Sequence, residues 1–91
     1  MDIRFEDTGS GGRYAVAGDG GEAEMTYSRA GSQWIADHTV VPEAMRGQGV
    51  GEAMALRLVE DARAAGARIV ALCPFVKAQA RRHPEWADVV M

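Results

Sequence analysis

Apolar residues recur at every second position in three stretches of the first forty-one residues and at helical spacing from Val50. From Glu22 to Arg29, Ala23, Met25 and Tyr27 fall on one side and Glu22, Glu24, Thr26 and Ser28 on the other, the mark of a half-buried strand. A shorter strand is predicted at Arg13 to Ala17, with Tyr14 and Val16 on one face, bracketed by glycine-rich turn segments at 8–12 and 18–21. After the turn Ala30-Gly31-Ser32, a third strand runs from Gln33 to Val41, in which Trp34, Ala36, His38 and Val40 oppose Ile35, Asp37, Thr39 and Val41. Three antiparallel strands in succession form a meander. Pro42, with no ladder donor, ends it, and a loop runs on to Gly47.

The period then changes. Val50, Met54, Ala55, Leu58, Val59 and Ala62 share one arc of a helical wheel, while Glu52, Arg57, Glu60, Asp61 and Arg63 fill the remainder. That apolar arc must pack on the sheet, and Gly66 supplies a left-handed stop. Arg68 to Cys73 is β-branched and apolar enough for an interior strand, closed by Pro74. Phe75 to Arg82 predicts a short helix ended by His83-Pro84, after which Trp86, Val89 and Val90 dock back. The predicted fold class is α+β: a meander, a long helix on the sheet, a further strand and a short C-terminal helix, in one domain spanning 1–91.

Charge and composition narrow the partners. A formal charge of −3, with acids and bases interspersed, leaves no broad basic footprint for nucleic acid or an acidic bilayer. No apolar run spans a membrane, and Met1 to Asp7 alternates charged with apolar residues rather than forming a signal peptide, so a cytoplasmic protein is expected. The single cysteine forms no internal disulfide, and no Cys, His and acidic cluster has metal-site spacing, so no metal is expected.

The run Arg46-Gly47-Gln48-Gly49-Val50-Gly51, between the third strand and the helix, carries the candidate chemistry. Three glycines at alternate positions remove Cβ atoms that would keep a phosphate from the backbone, and the helix start offers unpaired amides and the positive end of its dipole. A P-loop needs Lys-Ser/Thr after the last glycine, where this chain has Glu52-Ala53. A dinucleotide fingerprint needs a third glycine at position 52 and parallel strands, and neither is present.

In this setting Arg46-x-x-Gly49-x-Gly51 resembles the motif of the GNAT superfamily of acetyl-CoA-dependent N-acetyltransferases, above all its small YJDJ-type members. His38-Thr39-Val40-Val41-Pro42 before the motif and Cys73-Pro74-Phe75-Val76 after it strengthen the resemblance, which extends from about Gly12 to the C-terminus. It implies that amides from Arg46 to Gly51 hold the pyrophosphate of coenzyme A. It further implies that the backbone of Val40 and Val41 pairs with the pantetheine arm like an added strand. Nothing helical separates the first two strands, where larger members build part of the acceptor site, so the resemblance implies an amine acceptor, small molecule or peptide, without identifying it.

Acetyl transfer needs a neutral amine, donors for the developing oxyanion and a route for a proton to the departing thiolate. Cys73, at the end of the fourth predicted strand, reads either as acetyl carrier or base, or as a small buried hydrophobe. His38, sharing a face with Trp34 and Ala36, reads as a general base or as an ordinary core histidine. Glu43 in the loop is a third candidate for drawing a proton through water. Arg46 suits phosphate contact, since a guanidinium bonds two oxygens. Lys77, Arg81 and Arg82 either reach phosphates or face water. The rival to an acetyltransferase is a coenzyme A-binding module with little turnover, and an interaction protein without ligand stands behind both.

Overall fold

The computed structural model describes residues 1–91 as a five-stranded sheet with two helices. The strands, β1 (Arg4–Asp7), β2 (Gly11–Gly18), β3 (Gly21–Ala30), β4 (Gln33–Val40) and β5 (Arg68–Ala71), lie side by side in chain order. The first four pair antiparallel and β5 runs parallel to β4, joined to it across α1 (Val50–Ala65). The second helix, α2 (Pro74–Arg82), follows β5, and no helix is long and apolar enough to cross a membrane.

The expected α+β class and order of elements are present, and the meander has one strand more than predicted. Arg4–Asp7 pairs with β2 although all four of its residues are exposed; Phe5 leans on Tyr14 with ring centroids 5.4 Å apart. Glycines read as turn material also belong to strands: a side chain at Gly11 would collide with the Tyr27 carbonyl, and one at Gly12 with the rings of Phe5 and Tyr27. Only Asp19 and Gly20 remain in the turn between β2 and β3, with Gly20 at φ +83°.

The apolar arc of α1 packs as its spacing requires. Val50, Met54, Ala55, Leu58, Val59 and Ala62 are all buried, against Tyr14, Met25, Tyr27, Trp34 and Ile69 of the sheet. Tyr14 donates its hydroxyl to Asp61 Oδ2 at 2.7 Å, and Arg57 holds the same carboxylate at 3.2 Å; burial and the neighbouring carboxylate push the phenol well above its ordinary pKa. Gly66 closes the helix at φ +70°, its amide and that of Ala67 taking the carbonyls of Arg63 and Ala62. Trp86 and Val89 return to the core, and Val90 and Met91 lie along β5, where Met91 N donates to Ile69 O.

The opposite face of the sheet is polar. Arg13 binds Glu24 at 2.7 Å, Glu6 at 3.0 Å and Glu22, which also takes Arg4.

One irregularity sets the site. The β3–β4 register slips between Thr26, opposite His38, and Tyr27, opposite Ala36, so Asp37 is one residue too many. Such a bulge bends a strand and resets its alternation. Ala36 stays on the buried face; Asp37 bonds Ser28 and His38 bonds Glu24 on the polar face. Thr39 and Val41 then turn inward as Val40 turns out, 52% exposed. The expectation that His38 shares a face with Trp34 and Ala36 is thereby corrected.

Candidate active site

β4 and β5 stay paired only from Gln33–Arg68 to Ala36–Ala71, and the last bond between the two segments runs from Cys73 N to Ala36 O. Past that point β4 continues to Val40, held by β3 alone, while the chain after β5 turns into α2. The parting leaves one edge of β4 without a strand partner. An open cleft of about 450 Å³ lies there, between the end of β4, the start of α1 and one side of α2.

The floor is the predicted glycine loop. Pro42 leads into a 3₁₀ turn, Glu43–Met45, whose Met45 is buried and anchors the loop beneath Gly18. Gly47 and Gly49 follow at φ +79° and +77°, left-handed values that disfavour any side chain, and Gly49 caps α1 without a side-chain bond. The amides of Gly49, Val50, Gly51 and Glu52 donate to no protein acceptor; the first intrahelical bond is Ala53 N to Gly49 O. These residues line the cleft, so orphan donors and the positive helix end face it together.

The three glycines serve different ends. A Cβ at Gly47 or Gly49 would meet nothing within 4 Å, so the backbone turn demands them. At Gly51 a Cβ would lie 2.5 Å from Phe75 Cζ: this glycine lets the α2 ring lie flush on α1.

The other predicted binding residues distribute unevenly. Val41 and Val50 line the cleft, as does Arg46, whose Nε donates to Val41 O at 3.2 Å and so ties the loop to the strand end. Gln48 turns its side chain away, donating to Ala44 O at 3.3 Å. Val40 likewise points its side chain to the polar face, leaving its main chain at the open edge.

The three catalytic candidates do not converge. Cys73 is 3% exposed and its thiol donates to Thr39 Oγ1 at 3.4 Å, so a threonine that lines the cleft stands between thiol and opening. His38 lies across the sheet, its Nε2 2.7 Å from Glu24 Oε2 and its Nδ1 3.3 Å from Thr26 Oγ1. Glu43 is exposed in the 3₁₀ turn and does not line the cleft.

Residues the sequence reading did not assign to the site complete its walls: Thr39, Met45, Glu52, Phe75 and Gln79. Arg82 also faces the cleft, whereas Lys77 and Arg81 border a separate hollow near Val90, so the basic cluster divides. Phe75, Gln79 and Arg82 recur at helical spacing along one side of α2, a signal present in the sequence. Arg46 and Arg82 outnumber the one carboxylate, Glu52, which His83 Nε2 meets at 3.0 Å. Bonded to Glu85 and Glu52 and stacked on Trp86, His83 has its pKa raised, and its positive form offsets Glu52 beside the orphan amides.

Comparison with known proteins meets this geometry from outside. Residues 13–89 match the family model described as GCN5-related N-acetyl-transferase. The chain belongs to the GCN5-related N-acetyltransferase family. Its fold is similar to that of a GCN5-like protein of Staphylococcus aureus, solved in solution by NMR, with a TM-score of 0.79 and 28% identity over 99% of this chain and 87% of that one. No curated protein matches it. Family membership accounts for the strand, glycine loop and helix standing in this order, and it makes acetyl transfer the general activity to which the cleft is referred.

Proposed function

We propose that this member of the family binds acetyl-CoA in the β4–α1–α2 cleft and transfers the acetyl group to a primary amine of a small molecule or peptide. The observation that carries the reading is the set of unpartnered amides from Gly49 to Glu52, aimed into a cleft that continues along the unpaired edge of β4. The amides and Arg46 would bind the diphosphate, and the main chain of Val40 and Val41 would meet the pantetheine arm as another strand would.

Direct attack is the favoured chemistry. The neutral amine adds to the thioester carbonyl, main-chain donors near Val40 stabilise the oxyanion, and the intermediate collapses to the amide as the carbon–sulfur bond breaks, the coenzyme A thiolate leaving with the bonding pair and taking up, through water, the proton that the amine loses. A covalent acetyl-Cys73 intermediate is disfavoured by the thiol's burial behind Thr39. The protein works in the cytoplasm on this reading.

A second reading, a coenzyme A-binding module without turnover, draws support from the dispersal of Cys73, His38 and Glu43 away from the cleft. One experiment separates the two: a thermal-shift titration with acetyl-CoA, followed by thiol release and intact mass against a panel of amines. Stabilisation with amine-dependent thiol release is expected. Stabilisation alone selects the module, and no shift at millimolar ligand rejects both.

A further inference from the structure

Glu52 puts a carboxylate where the cleft should least tolerate one. It is the third residue of α1 after the Gly49 cap, and a glutamate there can reach back to the amide of the capping residue. That amide is one of the set open to an anion, so Glu52 carries a rival ligand for the same donors. Yet no side chain caps α1, and the hydrogen-bond partner of the Glu52 carboxylate is His83.

Glu52 stands on the ridge between the cleft and a smaller hollow of about 330 Å³ that His83, Glu85 and Trp86 line. The His83 ring is fixed there. It stacks on Trp86, with centroids 4.2 Å apart and planes at 12°, and meets Glu52 Oε2 through Nε2 and Glu85 Oε2 through Nδ1, each at 3.0 Å. A neutral imidazole has one N–H and holds one carboxylate; donating to two takes the imidazolium. Glu52 from α1 and Glu85 from the 3₁₀ turn Pro84–Trp86 are the charged groups facing the ring, while the adjoining cation of α2, Arg82, lines the cleft. Deprotonation costs one of the two bonds. Glu85, two residues from His83 and held near its own amide, stays beside the ring, whereas Glu52 has the free amides of the helix start to turn to.

We propose that Glu52 is a built-in competitor for the anion cradle and that the His83 imidazolium holds it aside, so that a phosphate meets bare amides only while His83 is charged. The proposal rests on the coenzyme A reading above. His83 is a positioning residue, acting through Glu52 and touching no reacting atom. Affinity is highest below the pKa of His83, which Glu85 and Glu52 raise, and falls as pH rises through it.

Calorimetric titration of the intact protein with coenzyme A at about pH 6 and about pH 9, either side of the imidazole range, tests it. Over that interval native affinity should fall about fivefold more than that of Glu52→Gln, the effect of a charge at a helix start; the comparison cancels coenzyme A's own titration. At about pH 6, His83→Leu should bind about fivefold more weakly than native, and adding Glu52→Gln should restore the affinity, a rescue that lost packing at Trp86 does not show. If His83→Leu does not fold, the pH comparison, which leaves His83 in place, decides alone. Equal pH profiles for native and Glu52→Gln overturn the proposal, since His83 then acts by its own charge or not at all. So does a His83→Leu loss that Glu52→Gln fails to restore. Native protein that binds no coenzyme A at either pH refutes the coenzyme A reading itself, a result distinct from both.

Discussion

The two halves of β4 obey different rules. From Gln33 to Ala36 the strand is paired on both edges, with Trp34 and Ala36 buried under α1. From Asp37 to Val40 it is paired on one edge only, with its alternation reset by the extra residue. The first half is core and the second is site, within one uninterrupted strand. A binding edge can thus be made without breaking a sheet, by ending one neighbour early and bending the strand that continues.

Substitutions can break this contrast at several strengths. Ala36→Glu should unfold the protein, since an unpaired buried charge rivals the whole stability of a small domain, about 5–15 kcal/mol. Val40→Glu, on the exposed side, should cost no more than about 1 kcal/mol; circular-dichroism melts of the two variants read the difference. Deleting Asp37 removes the bulge while leaving Thr39 and Val41 facing inward. The expected result is a loss of about 1–2 kcal/mol in stability and disappearance of the coenzyme A thermal shift.

Smaller effects sharpen the contrast. Cys73→Ala, behind the site half, should lower stability by about 1–2 kcal/mol and leave turnover within about twofold; a collapse of thiol release with normal stability would assign the chemistry to the thiol. The least effect comes from Glu24, whose pKa the bonds from His38 and then Arg13 hold below its ordinary 4.5. A lowered carboxylate pKa stabilises the fold fully above the ordinary value, and the contribution fades as pH falls through the lower folded one. Melting temperatures of native protein and Glu24→Gln should therefore converge on acidification from pH 5 toward 3.

Much of this architecture is written in local pattern. The α1 arc and the left-handed stop at Gly66 follow from spacing and backbone preference, and they are where those rules place them; Gly47 and Gly49, read as clearance for a phosphate, are required by the positive φ of the loop as well. The bulge is not legible, because nothing in Ile35 to Val41 separates an unbroken alternation from one with an added residue; the pairing partner β3 decides it. Strict alternation consequently puts His38 on the wrong face and gives Thr39 no role at the cleft. Gly51 shows a different limit: its pairing with Phe75 joins residues distant in sequence, so a motif glycine read as phosphate clearance is a helix contact. β1 is not legible either, because four exposed residues carry no burial signal.

The outer borders of the sheet are guarded, β1 by its shortness and charge and β5 by the returning tail at Val90 and Met91. The unguarded stretch of main chain is thus an interior notch, walled by Phe75 on one side and β3 on the other. A notch of that shape suits a slender, extended group better than a whole strand, which needs a long straight border. Where the strands part, main chain is bare only inside a walled slot and not along an outer border.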